Sequence, residues 1–257
     1  MDNIFLERYA DDINFCVADF NVDKKYNELT PVEIGISGDK TNKICYQDNN
    51  IPSGIDILYG KNAKNSRVYI RSGSKFNNVK VIINSIDCCV YIGQDCDIKG
   101  LTIAMPCRND SVIIGAGVVV TKSNTWTVGL NHGCSANGII VGDHCLIAAD
   151  VCIRASDGHL ILDIDSHTQI NKTKLPVIIE PYCWLGQRAS ILKNVRVGGG
   201  TIVSFGAIVT KSFDKLSVLC GVPAKNKNGP ARIWQRNNSP NSIEIRMIYE
   251  KRYIKTS

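Results

Sequence analysis

Ile179-Glu-Pro-Tyr-Cys-Trp184, Leu185-Gly-Gln-Arg-Ala-Ser190, Ile191-Leu-Lys-Asn-Val-Arg196, Val197-Gly-Gly-Gly-Thr-Ile202 and Val203-Ser-Phe-Gly-Ala-Ile208 follow one another without a gap. An aliphatic residue leads each unit. Four positions later stands a small or β-branched one: Cys183, Ala189, Val195, Thr201 and Ala207. The same phase opens earlier, with Val141, Ile147 and Ile153 leading and Cys145 and Val151 following, and it ends at Val209. Further upstream, Ile86, Ile92, Ile98 and Ile114 read as leaders, with Val90, Cys96, Thr102 and Val118 as followers. Glycine often takes the second slot, at Gly93, Gly115, Gly142, Gly186 and Gly198. A period of six is neither the 3.6 of a helix nor the 2.0 of a flat strand. It describes a short flat stretch, a corner and another flat stretch. Three such faces close a triangular coil, and coils stack at about the 4.8 Å strand spacing. The leading aliphatic then points into the prism and stacks on its equivalent one coil away. An antiparallel sandwich with chance spacing would not keep phase over five consecutive units.

The composition agrees with a packed chain. Of 257 residues, 44% are apolar and 21% charged, which is globular rather than disordered. Aromatics are 7%, so the core must be built from Ile, Val, Leu, Ala and Cys. The 11 cysteines are odd in number and form no CxxC. Most lie in apolar runs, which fits reduced, buried fillers better than a disulfide scaffold or a zinc site. No apolar run approaches the roughly 20 residues that span a bilayer. The start, Met1 to Arg8, has neither a basic region nor a long apolar one, so no secretory leader is expected and the reading is cytoplasmic. The net charge of +6 is uneven: residues 1–65 carry seven Lys/Arg against eleven Asp/Glu, residues 211–257 ten against three. A basic tail suits nucleic acid, an anionic membrane or a phosphorylated small molecule, or is a solvated helix and loose end.

The units resemble the hexapeptide repeats of the left-handed parallel β-helix, and the chain resembles the hexapeptide acyltransferases over about residues 80–225. The likeness sharpens in Ser156-Asp157-Gly158-His159, in Gln169-Ile170-Asn171, in Pro176 to Ile179, in Cys183-Trp184-Leu185-Gly186, in Ile208 to Lys211 and in Cys220 to Lys225. These stretches are similar to one subgroup, the sugar O-acetyltransferases of bacterial capsule, lipopolysaccharide and exopolysaccharide synthesis. The resemblance implies an all-β fold, acetyl-CoA as co-substrate, a homotrimer, a carbohydrate acceptor and no metal. It displaces nucleic acid as the partner of the basic tail.

Acetyl transfer from a thioester to a hydroxyl requires one proton to be taken up, and a neutral imidazole suits that task. His159 is the first choice. It stands where the repeat breaks into a loop, residues 157–177, and it matches the family's catalytic histidine in the same setting. Asp157, two residues earlier, either orients that imidazole, binds the sugar or simply makes a turn. Trp184 fills an outward slot, and the family places this ring at the donor and acceptor channel. The resemblance further assigns the CoA groove to Gln187, Phe205, Thr210, Lys211 and Lys225. Two departures stand out: Ser204-Phe205-Gly206 replaces a smaller corner, and Lys225 replaces an arginine. Of the other histidines, His144 reads as a solvated surface residue, while His132 and His167 either approach the acceptor or are ordinary loop residues.

The remaining chain divides into an N-terminal cap (1–65), the β-helix (66–213) and a basic C-terminal segment (214–257). Val32 to Ile36 alternates like a short strand. Residues 243–250 suit an amphipathic helix that caps the last coil or packs on a neighbour. Three other functions compete: N-acetyl transfer to an amino-sugar nucleotide, a non-catalytic trimeric scaffold, and a carbonic anhydrase on the same coil. The last needs three converging histidines, and the spacings of 12, 15 and 8 lack a close pair.

Overall fold

The computed structural model describes residues 3–129 and 136–254. Three sheets form the sides of a prism. Sheet A has eight strands, from Asn27–Leu29 and Lys43–Tyr46 at one end to Arg196–Val197 at the other. Sheet B has seven, from Ile55–Tyr59 to Ile208–Val209, and sheet C eight, from Lys75–Asn77 to Val218–Cys220 and Lys225–Asn226. The chain visits A, C and B in turn. Cys89–Ile92 lies in A, Asp97–Lys99 in C and Leu101–Met105 in B, before Ser111–Ile114 returns to A and pairs in parallel one coil on. Among the described strands, only the two outermost pairings, Asn27–Leu29 on Lys43–Tyr46 and Lys225–Asn226 on Val218–Cys220, are antiparallel. They close the two open ends of the stack.

The repeat dictates this geometry residue by residue. The leaders Val141, Ile147, Ile153, Ile179, Leu185, Ile191, Val197, Val203 and Val209 are all fully buried in one continuous core. The fourth slot turns the corner in the left-handed backbone region: His144, Asp150, Tyr182, Arg188 and Asn194 have φ of 58 to 62°, and Gly200 and Gly206 follow suit. The second slot touches the next coil. A Cβ on Gly198 would lie 2.3 Å from the Lys215 nitrogen, and one on Gly186 2.7 Å from the Val203 carbonyl oxygen. Backbone atoms cannot give way there, which is why glycine recurs.

Two expectations need correcting upstream. Ile86 is exposed and Thr102 faces outward, whereas Ile92, Ile98 and Ile114 are buried as leaders should be. The early coils have longer sides, with Arg67, Cys89 and Ser111 stacked at 22-residue intervals, so a six-residue phase slips there. The strand expected at Val32–Ile36 is a 3₁₀ turn, Val32–Ile34, started by Pro31 and stopped by Gly35 at φ 71°. Parallel stacking itself begins at Lys43–Tyr46, well before the repeat becomes readable.

Both terminal segments lie along flanks of the prism. Helices α1 (Ile4–Arg8) and α2 (Ala10–Cys16) cover the outer side of sheet A, where Phe5, Ile13 and Cys16 pack with Cys45, Tyr69, Cys89, Tyr91, Ile113 and Ile140. The basic tail ends in helix α3 (Pro240–Ile254), as the pattern at 243–250 suggests. It lies beside the A–C edge of its own chain, where Tyr182, Trp234, Tyr249 and Tyr253 stack. The Trp234 indole N–H donates to the Tyr182 carbonyl at 2.7 Å, and the Tyr253 hydroxyl donates to that of Pro181 at 3.0 Å. His144 is corrected by the same packing: it lies under α3 with its ring 5.9 Å from Tyr249, and burial holds its imidazole below the usual histidine range.

Candidate active site

The edge where sheet B passes into sheet A carries the chain's interruptions. Between Cys152–Arg154 of sheet B and Val177–Ile179 of sheet A the chain leaves the coil and returns. The outer part of this loop is a small hairpin. Ile170 N–H donates to the Ile161 carbonyl at 2.9 Å, Leu162 bridges Gln169, and Asp163 caps a turn through Ser166. Its apolar side chains, Leu160, Ile161, Leu162, Ile164 and Ile170, are exposed. Polar contacts at the neck hold it instead. The Asn171 side-chain amide donates to Asp157 Oδ2 at 2.8 Å and to the His159 carbonyl at 2.9 Å. Its Oδ1 accepts from Ile161 N at 2.9 Å and from Gln169 Nε2 at 3.1 Å. Lys193, from the next coil, donates to Asp157 Oδ2 at 2.5 Å and to the Asn171 carbonyl at 2.7 Å.

His159 is exposed at the base of this hairpin, and its imidazole makes no hydrogen bond among the described residues. The hydrogen bonds that Asp157 accepts come from Asn171 and Lys193, and none joins it to the imidazole. Burial opposes ionisation of that carboxyl, but the hydrogen bonds from Lys193 and Asn171 outweigh burial and hold it below the usual carboxylate range. Beside the neck lies a groove of about 380 Å³, lined by Arg154, Ser156, Asp157, Leu192, Lys193 and Thr210. Ser156 is buried there and its hydroxyl has no partner among the described residues.

Most of the other expected residues lie elsewhere on the prism. Trp184 stands on the outer side of sheet C, 38% exposed, tilted against Trp234 at 6.2 Å. Gln187 and Phe205 occupy successive turns of the C–B edge, where Gly206 N–H donates to the Gln187 carbonyl at 2.9 Å. Gln187 Nε2 reaches Asp150 at 3.2 Å. The bulk of Phe205 is accommodated because the ring projects into solvent, 63% exposed, while Gly206 takes the left-handed turn. Arg188 lies over that ring at 5.7 Å. Lys211 lies 5.5 Å from the Phe213 ring, and Lys225 is exposed on the closing strand of sheet C. Thr210 and Lys211 therefore share the B–A edge with His159, while Trp184, Gln187, Phe205 and Lys225 belong to sheet C and its edge with B. One chain does not bring the two sets together. His167 is exposed in the hairpin turn, and His132 lies outside the described residues. No cluster of three His, Cys, Asp or Glu side chains able to hold a metal occurs among the described residues, nor does a helix long and apolar enough to cross a membrane.

Lys193, Arg154 and Arg188 escape a reading of the sequence by motif, and Asn171, although it closes the family-like stretch Gln169-Ile170-Asn171, gives no sign there of its contacts. Lys193 and Arg188 do carry a signal, since the third and fourth slots of a hexapeptide must face outward at a corner.

The curated protein most informative here is a polysialic acid O-acetyltransferase of Escherichia coli O1:K1 / APEC, 34% identical over 136 residues. Those residues are 53% of this chain and 41% of that protein, so the chain spans about two fifths of this relative. The putative lipopolysaccharide biosynthesis O-acetyl transferase WbbJ of Escherichia coli K12 is 25% identical over 159 residues, 57% of this chain and 80% of that one. Among solved structures, the polySia-specific acetyltransferase NeuO superposes with a TM-score of 0.63 at 28% identity, over 83% of this chain and 93% of that one. The chain is thus similar, over more than half its length, to proteins named as bacterial polysaccharide O-acetyltransferases. The polysialic acid O-acetyltransferase OatWY shares the fold, with a TM-score of 0.52 at 22% identity over 80% of this chain and 92% of that one. No family model matches the chain.

Proposed function

We propose that this protein moves an acetyl group from acetyl-CoA to a hydroxyl of a sugar in a bacterial surface polysaccharide, as a cytoplasmic homotrimer with His159 as general base. One observation carries the reading: an imidazole without a hydrogen-bond partner among the described residues is presented on a braced loop beside an open groove. The two curated relatives named above carry O-acetyltransferase names, which favours a hydroxyl over an amine as acceptor.

The chemistry follows from these groups. The His159 imidazole takes the proton of the sugar hydroxyl as its oxygen attacks the thioester carbon. A backbone N–H at a coil corner stabilises the oxyanion, and collapse expels the CoA thiolate, which regains the proton from the imidazolium. Side-by-side binding of donor and acceptor makes an acyl-enzyme unnecessary. The exposed cations Lys211 and Lys225 suit the CoA phosphates, and Trp184 suits the pantetheine arm or the sugar.

The test is thiol release from acetyl-CoA in the presence of a panel of acidic and neutral polysaccharides. The parent should turn over at least one of them, and His159→Ala should lose about 100-fold or more in kcat without losing its assembly. A variant within a few-fold of the parent removes His159 from the role of base.

A further inference from the structure

We infer that Asn171 and Lys193 are positioning residues for His159, forming a polar clamp that fixes where the hairpin presents its imidazole. The inference rests on the reading of His159 as the base. It starts from how little else holds the loop. The outer hairpin pairs its own backbone at Ile161–Ile170 and Asp163–Thr168, and its apolar side chains are exposed and belong to no core cluster among the described residues. His159 lies between the buried end of the sheet B strand, at Ala155, and the first hairpin pairing, at Ile161. Its position is decided at the neck.

At the neck the Asn171 amide uses its full capacity of two donors and two acceptor sites. They tie Asp157, His159, Ile161 and Gln169 to one side chain. The outgoing and returning arms are thus joined at the residues that flank the imidazole. Lys193 then fastens the pair to the prism, because its ammonium bonds Asp157 on the outgoing arm and the Asn171 carbonyl on the returning one. Lys193 stands two residues after Ile191, a leader buried in the core, so its backbone is as rigid as the coil. Asn194 completes the anchorage by accepting from Lys174 N and Leu175 N at 2.7 and 3.0 Å. Asp157 belongs to this clamp. Its role is to receive Lys193 and Asn171.

Misplacing a catalytic group by about 1 Å can cost on the order of 100-fold in rate. Asn171→Ala and Lys193→Met should each lower kcat by about 10- to 100-fold, with the KM for acetyl-CoA within about twofold of the parent and the melting temperature little changed. The double variant should be no slower than the worse single one by more than about threefold, because both act through one clamp. Lys193→Arg, which keeps the charge and the donors, should recover part of the rate. Lys174→Ala, on the exposed returning arm, is the control and should match the parent. Amide hydrogen exchange supplies a second readout: residues 157–171 should exchange faster in both clamp variants while the coil strands do not.

If His159→Ala is inactive and Asn171→Ala retains full kcat, the clamp is overturned and the base stands. Multiplying defects in the double variant, or a KM for acetyl-CoA that rises with a falling melting temperature, would also overturn it. If His159→Ala is active, the functional reading fails; hydrogen exchange then still decides whether Asn171 and Lys193 hold the loop.

Discussion

Trp184 and His159 stand on opposite sides of one prism. The tryptophan projects from sheet C, and the histidine leaves the edge where sheets B and A meet, which is the edge facing away from sheet C. A site that uses both must take them from two chains. Mixing His159→Ala chains with Trp184→Ala chains therefore should restore activity that neither homo-oligomer has. Random assembly leaves about a quarter of the interfaces with both groups intact. Mixed samples that stay as inactive as the separate ones would show that the two residues do not meet across an interface.

The N-terminal helices depend on one glycine. A Cβ on Gly138 would come within 2.1 Å of the Phe5 ring, which is fully buried against sheet A. Gly138→Ala should cost about 1–3 kcal/mol by overpacking, and Phe5→Ala about 3–5 kcal/mol by emptying the site. Phe5→Leu should offset part of the Gly138→Ala loss, since the two changes share one contact. Denaturant unfolding measures this. A Gly138→Ala chain as stable as the parent would mean that α1 is not held by this ring.

The coil from Val141 to Val209 is readable in the sequence because each face is short and each slot has one physical task. An inward aliphatic, a left-handed corner and a backbone contact leave little choice of residue. Upstream the sides lengthen, so Ile86 and Thr102 mislead, and Lys43–Tyr46 joins the stack without any repeat to announce it. His159 is locatable because the repeat stops beside it. The task of its supports is not legible: Asn171 closes a family-like stretch, but it and Lys193 act through carbonyls and a shared carboxylate, and such contacts leave no periodic trace. The covering of sheet A is hidden for a similar reason. The outward residues Tyr69, Cys89 and Tyr91 look like surface in a hexapeptide pattern and become core only once Phe5 and Ile13 lie over them.

Stability should also depend on the protonation of Asp110. This carboxyl is fully buried, and burial pushes its pKa up to about 8 against the hydrogen bonds that the Cys107 and Gly129 N–H groups donate to it at 2.9 and 3.2 Å. The folded chain then binds a proton that the unfolded chain releases near pH 4. The contribution is complete below that pH and is lost as pH rises through about 8. One group can account for a slope of at most about 1.4 kcal/mol per pH unit. Asp110→Asn cannot ionise, so its stability relative to the parent should climb between pH 4 and 8. Parallel stability curves for the two proteins would refute the assignment.

Lys225 offers the sharpest test of where the donor lies. It is exposed on the strand Lys225–Asn226, which pairs with Val218–Cys220 at the closing end of sheet C. CoA carries a pyrophosphate and a 3′-phosphate, so a cation beside them acts on donor binding and hardly on the sugar. Lys225→Glu should raise the KM for acetyl-CoA more than the KM for the polysaccharide, with kcat changed little. The effect should shrink as salt is added, because the screening length falls from about 10 Å at 0.1 M to about 3 Å at 1 M. Acetyl-dephospho-CoA, which lacks the 3′-phosphate, separates the two anionic groups. If Lys225 faces that phosphate, parent and variant should differ far less with the truncated donor; if it faces the pyrophosphate, the difference should persist. A variant whose larger defect is in the KM for the sugar would place the donor elsewhere.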